Sequence, residues 1–269
     1  MREFLVRTSH KPRPLPAGRW AMTQRWNDLL FAHWPIPTAK LEALLPDWLE
    51  ADTYQGSAWL GAVPFWLDRI KVRGVPAIPG LRNFPDLNLR TYVCDRMTGT
   101  PGIYFFSVDS NNLLAVGAAR VVYHLPYFLA EMHLDQRSER EFAFYSRRRF
   151  RKQQPVIFKA RYRGLGPSRK MVEIRGGSFE YFMSERPCVF SVNRAGQPIR
   201  ANLHHVAWPL EEAEAEIERN DLATAVGLEL PEIDPILHYS RRLAVYVWPA
   251  ELVRPALAAR PVTVAATPT

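Results

Sequence analysis

Nine stretches of this chain are rich in β-branched and aromatic residues and end at turn-forming residues: 58–72, 87–94, 103–109, 120–123, 141–150, 156–163, 189–193, 199–207 and 241–247. No regular series of helical crossovers lies between them, which favours a largely antiparallel sheet or barrel. Helices are expected only as insertions. Thr38 suits the N-cap of a short helix over 39–45 that stops before Pro46. Ser110 suits the cap of a second over 111–119. Pro209 suits the first turn of a third, with Leu210, Ala213 and Ile217 on one face and Glu211, Glu212, Glu214, Glu216 and Glu218 towards water. These glutamates read as an acidic surface, not a general acid/base pair.

The chain shows no internal repeat and no linker rich enough to divide it. One folded unit is expected over 20–250, between a basic, proline-containing tail (1–19) and an Ala/Pro-rich tail (251–269), with 75–85 as a long loop. With 47% hydrophobic residues in 269, the unit can bury a sizeable core. The longest apolar run, 113–122, is interrupted by Arg120 and is far too short to span a bilayer. The N-terminus has no apolar signal-peptide core, so a soluble cytoplasmic protein without a membrane partner is expected. Cys94 and Cys188 belong to no zinc-ligand spacing, and neither a disulfide framework nor a metal site is expected.

Lysine and arginine number 35 against 27 acidic residues, a net +8, partly gathered in Arg147, Arg148, Arg149, Arg151 and Lys152. Such a run fits nucleic acid or another acidic partner. It equally fits a solvated strand edge that discourages pairing, and the alternation of Phe142, Phe144 and Phe150 favours the strand, so no nucleic acid is expected.

Strand faces give the clue to a pocket. A period of two puts Asn88, Arg90 and Tyr92 on one face and Leu89, Thr91 and Val93 on the other. The next strand is apolar on both faces, with Tyr104, Phe106 and Val108 on one side and Ile103 and Phe105 on the other, which fits a closed or double-layered sheet. An arginine facing inward there needs a partner, either a protein carboxylate or a ligand's. Phosphate-binding glycine loops, the zinc-protease helix motif and the hydrolase nucleophile elbow are all missing, and no cofactor is expected. His204 and His205 are adjacent on a strand and face opposite ways.

Taken together, the segments 27–35, 59–65, 87–93, 102–109 and 204–210, carrying His33-Trp34-Pro35, Trp59-Leu60-Gly61, Leu89-Arg90-Thr91, Phe105-Phe106-Ser107 and His204-His205, resemble the YqjF-like family of uncharacterised bacterial proteins. That resemblance implies a fold similar to acetoacetate decarboxylase: a cone-shaped antiparallel β-barrel with an enclosed cavity and peripheral helices. Such enzymes use a lysine Schiff base, its pKa lowered by a second lysine, in a segment approximating G-R-E-x-x-G-F-P-K-K. The similar segment here runs from Ala119 to Phe128; Arg120 and Pro126 match, but Tyr127 and Phe128 stand in the lysine places and Val121 replaces the glutamate. Only six lysines occur in the whole chain, and Lys159 is the nearest substitute, so Schiff-base decarboxylation is not expected.

The cavity is what the resemblance leaves. One expectation is an enzyme without a covalent amine, acting on a small carboxylate or other polar organic compound: Arg120 and Arg90 would hold anionic oxygens, Tyr104 or Tyr127 would donate protons, and Asp109, His124 or Glu185 would be the bases. The other is a non-catalytic binding or sensing protein, its cavity lined by Tyr92, Tyr104, Phe106, Tyr127, Phe128 and Trp66. A third is an interaction module using the run 147–152. Homo-oligomers are implied only by analogy with the decarboxylase group.

Overall fold

The computed structural model describes residues 14–148, 154–167 and 176–253. Its strands are β1 (Met22–Ile36), β2 (Leu49–Ala51), β3 (Ala58–Val72), β4 (Phe84–Asp95), β5 (Pro101–Ser110), β6 (Tyr127–Gln136), β7 (Glu141–Arg148), β8 (Val156–Gly164), β9 (Cys188–Val192), β10 (Pro198–His205), β11 (Leu210–Asn220), β12 (Ile236–Val247) and β13 (Glu251–Leu252). Three helices, α1 (Thr38–Glu42), α2 (Leu113–Val122) and α3 (Phe179–Ser184), interrupt them. Nine strands pair in a closed ring, in the order β5, β6, β7, β8, β11, β12, β1, β3, β4 and back to β5. A second closed circuit runs through β9 and β10, because β9 pairs with β5 and β10 pairs with β12. The strands β12, β1, β3, β4 and β5 are therefore a wall common to two interiors. All pairings are antiparallel except β5 with β6 and β5 with β9.

A shared wall must be apolar on both faces, and this one is. Leu30, Ala32, Leu60, Ala62, Leu87 and Leu89 point into the nine-stranded barrel against Phe142, Phe144, Phe158 and Tyr162. The alternate residues, Phe31, Val63, Phe65, Phe84 and Tyr92, point into the second interior, which Val189, Leu203, Trp208 and the α3 residues Phe179 and Met183 complete. Apolar bulk on both sides of a strand is the sequence signature of this arrangement.

Alternation in β1 is broken at Asp28, whose φ is +51°. As a result Trp26 and Leu29, three residues apart, join the same cluster. Asp28 is held by three donors: Tyr239 Oη on Oδ1 at 2.6 Å, Trp66 Nε1 on Oδ2 at 2.8 Å, and Tyr162 Oη on its carbonyl at 2.7 Å.

Several expected elements are corrected. The segment after Pro209 is the strand β11, not a helix: Glu-Ala-Glu-Ala-Glu-Ile-Glu has a period of two, so Ala213, Ala215 and Ile217 pack on the barrel core. The outward glutamates form ion pairs with β8, Glu214 with Arg163, Glu216 with Arg161 and Glu218 with Lys159. Such a cross-strand ladder favours the strand over the helix that Glu and Ala otherwise prefer. Glu211, expected in water, is buried and accepts from Arg140 at 2.7 Å. The expected strand 120–123 is the end of α2 and the turn after it; Asn112, not Ser110, caps that helix, its Oδ1 accepting from the Ala115 N–H at 3.1 Å. Thr38 lies inside α1, after Pro37.

Strand β7 pairs on both sides, with β6 and β8, so Arg147 and Arg148 are not on a sheet edge; residues 149–152 of the basic run lie outside the described residues. Strand β13 pairs with β10, so ordered structure continues past 250.

Candidate functional site

Strand β4 supplies the polar side chains of the second interior. Asp86, Asn88, Arg90 and Tyr92 occupy alternate positions between Phe84 and the strand end, and all four are buried. Their β3 neighbours on the same face are Phe65, Val63 and Gly61, respectively opposite Asp86, Asn88 and Arg90. Arg90 is 4% exposed, its Nε is buried without a hydrogen-bond partner, and among the described residues no carboxylate forms an ion pair with it. The guanidinium lies 5.2 Å from the Phe31 ring centroid and 5.6 Å from that of Tyr92.

A histidine from β1 completes the cluster. His33 is fully buried, and its Nε2 lies 2.7 Å from the Tyr92 hydroxyl. Burial, then the nearby Arg90 and His238, hold its pKa well below the usual histidine range, so the ring is neutral. The Tyr92 hydroxyl is the partner of Nε2, and the other ring nitrogen, Nδ1, is buried and has none. Arg90 Nε–H, His33 Nδ1 and Asn88 Oδ1 are therefore all unmet in one interior. Gly61 keeps the place open, since a Cβ there would meet His33 Nε2 at 2.8 Å and Arg90 Cγ at 3.5 Å.

Helix α3 covers the cluster. Phe179 meets His33 edge-on at 5.5 Å and Phe182 meets Tyr92 at 5.0 Å, while Glu180 reaches His238 at 3.6 Å. Just after the helix, Arg186 is buried against Tyr92 on another side and is paired with Asp52. Arg186 thus has the carboxylate that Arg90 lacks.

At the other end of the row, Tyr127 Oη donates to Asp86 Oδ2 at 3.0 Å, and Asp86 Oδ1 is buried without a partner. Burial pushes the Asp86 carboxyl up to about 8, with Ser110 and Tyr127 opposing and Asp109 adding to the shift. Burial, and then Asp86, keep the Tyr127 phenol well above its ordinary range.

The residues expected at the site are divided by the shared wall. Arg90, Tyr92 and Tyr127 lie in the second interior, and Glu185 is buried at the end of α3. Asp109 is in the nine-stranded barrel, where it accepts from Arg148 Nε at 2.7 Å and from Ser146. Phe128 stacks under Arg148 at 4.0 Å and Phe106 packs on the barrel core. Tyr104 lies against Phe106 and a small cluster around Phe190. Trp66 is engaged by Asp28. Arg120 is a correction: it is exposed on α2, and its Nε donates to the Tyr127 carbonyl at 2.6 Å, because the segment that carries it is a surface helix and not a barrel strand. His124 follows in a half-buried turn with φ +53°. Two members of the cluster, His33 and Asp86, were not expected from sequence. Extending the β4 alternation back by one step from Asn88 reaches Asp86; no such signal marks His33.

Lys40, Lys71 and Lys159 are all exposed, and the other three lysines lie outside the described residues. Among the described residues no group of three or more His, Cys, Asp or Glu could hold a metal ion, and no helix is long and apolar enough to cross a membrane.

The architecture is that of the acetoacetate decarboxylase-like proteins. The chain superimposes on the crystal structure of acetoacetate decarboxylase from Legionella pneumophila with a TM-score of 0.60 at 14% identity, over 92% of this chain and 93% of that one. It is similar also to the enduracididine biosynthesis enzyme MppR complexed with pyruvate, with a TM-score of 0.60 at 9% identity over 89% and 93% of the two chains. Likeness at such identities establishes the fold alone. By sequence, residues 23–244 match the DUF2071 family of uncharacterized conserved proteins, to which this chain belongs. The uncharacterized protein YqjF of Bacillus subtilis (strain 168) is 43% identical over 235 residues, 87% of this chain and 93% of that protein.

Proposed function

We propose that this protein binds a small organic anion, a carboxylate, in the interior formed by β4, β1, β3 and α3, with Arg90 as the cation that holds it. The observation that carries this reading is the buried Arg90 guanidinium without a carboxylate partner. Leaving a charge in an apolar interior costs several kcal/mol, and native proteins pair such groups or supply a ligand. His33 Nδ1 and Asn88 Oδ1 offer two further hydrogen-bonding positions, which suits a carboxylate with a neighbouring polar group. A solved structure of similar fold is complexed with pyruvate, a small carboxylate, which supports a carboxylate as the ligand class.

Chemistry on the bound anion has to proceed without an amine from Lys40, Lys71 or Lys159, which are exposed. A binding or sensing role and a non-covalent enzyme share the same anion site and are separated by turnover. The test is a thermal-shift screen against hydroxy acids, oxo acids and aromatic acids, using wild type, Arg90→Gln and Arg120→Gln. A ligand bound only by the folded state at about 100 times its dissociation constant adds ~2.7 kcal/mol of stability. The expected result is a shift in wild type and Arg120→Gln that is lost in Arg90→Gln. A panel without any shift, or a shift that survives Arg90→Gln, overturns the reading.

A further inference from the structure

We infer that Asp86 and Tyr127 together form a donor site for a carbonyl oxygen of the same ligand, so that the interior takes an elongated oxo acid with its carboxylate on Arg90 and its carbonyl at the far end of β4. The inference rests on the Arg90 reading above, and its test is built to fail separately.

The geometry is set by the strand. Asp86 and Arg90 are four residues apart on one face, with no register shift against β3 between them, and so about 13 Å separates their Cα atoms. An arginine side chain covers roughly half of such a span, so a two- or three-carbon acid held by Arg90 does not reach Asp86 and one built on a flat six-membered ring does. The walls suit a flat apolar body: Phe31, Val63, Phe65 and Phe84 belong to the buried apolar cluster that includes Tyr92, and Val63 and Phe65 lie opposite Asn88 and Asp86. At the Asp86 end, Tyr127 already donates to Oδ2, so a proton on the acid sits on Oδ1, which is buried and has no partner. Asp86 faces Tyr127 from β6, Ser110 from β5 and Phe65 from β3, and Asp109 acts on it from the barrel side of the wall. Among these no cation offsets a negative charge on Asp86, and burial keeps the group a neutral acid until pH about 8. A neutral carboxylic acid whose second oxygen already accepts from a buried tyrosine presents one O–H, strengthened as a donor by that bond, and such a pre-organised donor polarises a carbonyl and stabilises negative charge developing on its oxygen.

The experiment compares two probes of one shape, 4-acetylbenzoate, whose second group only accepts hydrogen bonds, and 4-isopropylbenzoate, which lacks the oxygen. Dissociation constants are measured by calorimetry for wild type, Tyr127→Phe and Asp86→Asn between pH 5.5 and 9. Wild type is expected to prefer the acetyl probe about tenfold at pH 6 and to lose that preference above pH 8, where ionised Asp86 repels the carbonyl. Asp86→Asn keeps an N–H donor, and its preference is expected to be independent of pH. Tyr127→Phe is expected to weaken the preference at least threefold while leaving the affinity for 4-isopropylbenzoate unchanged. Equal affinity of wild type for the two probes at pH 6 overturns this inference while leaving the Arg90 site standing. Failure of both probes to bind overturns both.

Discussion

Replacing Arg90 with methionine separates a binding group from a structural one. A structural arginine, such as Arg186 paired with Asp52 or Arg148 paired with Asp109, leaves a buried carboxylate uncompensated when removed, which costs about 3–5 kcal/mol. Arg90 has no such partner, and the sign reverses. Methionine keeps most of the stem that packs against Phe31 and Tyr92, and the guanidinium's contacts with those rings, at 5.2 and 5.6 Å, are at the outer range where such interactions are worth ~0.5–1 kcal/mol. Against that loss stands relief from burying a charge, worth several kcal/mol even after relaxation. The net expectation for the ligand-free protein is a gain of about 1–3 kcal/mol, or roughly 2–4 °C in melting temperature for each kcal/mol in a chain of this size. Urea denaturation followed by tryptophan fluorescence reads it directly, and the same samples should no longer respond to carboxylates. A loss of 3 kcal/mol or more in Arg90→Met would show that Arg90 compensates a buried anion of the protein itself, and the anion-site argument would fall.

Three further substitutions probe the surroundings. Gly61→Ala forces a Cβ to within 2.8 Å of His33 Nε2, so the His33–Tyr92 hydrogen bond must break or the strand must move; overpacking and the lost bond together predict a destabilisation of ~2–4 kcal/mol in chemical denaturation, and a change under 0.5 kcal/mol would show that the ring is free to shift. Asp28→Ala removes the acceptor of Tyr239 and Trp66 and puts alanine at φ +51°, for an expected loss of about 2–5 kcal/mol, whereas Asp28→Asn, which tolerates that φ and keeps one acceptor oxygen, should lose less than half as much in the same assay. Asp86 gives a pH signature: its carboxyl is raised from 3.8 to about 8 on folding, so between those values the folded state holds a proton the unfolded state has released, and stability falls as pH rises, by at most ~1.4 kcal/mol per unit. Urea midpoints of wild type and Asp86→Asn at pH 5, 6, 7 and 8 should diverge in favour of the variant, and parallel curves would refute a raised Asp86.

How much of this was legible in the chain depended on whether local alternation and tertiary packing agree. In β4 they agree: the period of two in 87–93 placed Asn88, Arg90 and Tyr92 together, and the apolar bulk on both faces of β5 announced a sheet closed on two sides. In β11 they conflict with intrinsic propensity, since Glu and Ala favour a helix in isolation, and only pairing with the basic face of β8 makes the alternating pattern decisive. Strand β1 escaped recognition because its first half is polar and Asp28 interrupts the alternation, and His33 was hidden with it. Arg120 misled for a different reason: it matches a motif residue of the decarboxylase, but the helix that carries it lies on the surface, and a matching letter fixes neither burial nor direction.

The two interiors share one wall yet differ in how their buried charged groups are paired, and that contrast argues for which one is functional. In the nine-stranded barrel, Asp109 is buried but accepts from both Arg148 and Ser146, so both of its oxygens are engaged by the protein itself. Across the same wall, one residue away along the strands, Arg90, His33, Asn88 and Asp86 each keep a buried polar atom without a partner. Unmet polar atoms cost stability wherever they are buried, so chance would scatter them, and a fold optimised for stability alone would remove them. Such atoms occur elsewhere too, at Trp48 Nε1 and Asp95 Oδ2 among others, but four of them gather on one face of β4 and on β1 beyond the intervening β3, under an aromatic cover from α3 and with Gly61 opposite Arg90. Repeating the wall's design with the pairing left incomplete on one side is what a site for a polar ligand requires. A high-resolution crystal structure tests this directly, because ordered waters satisfying all four groups in the absence of ligand would make the second interior as complete as the first.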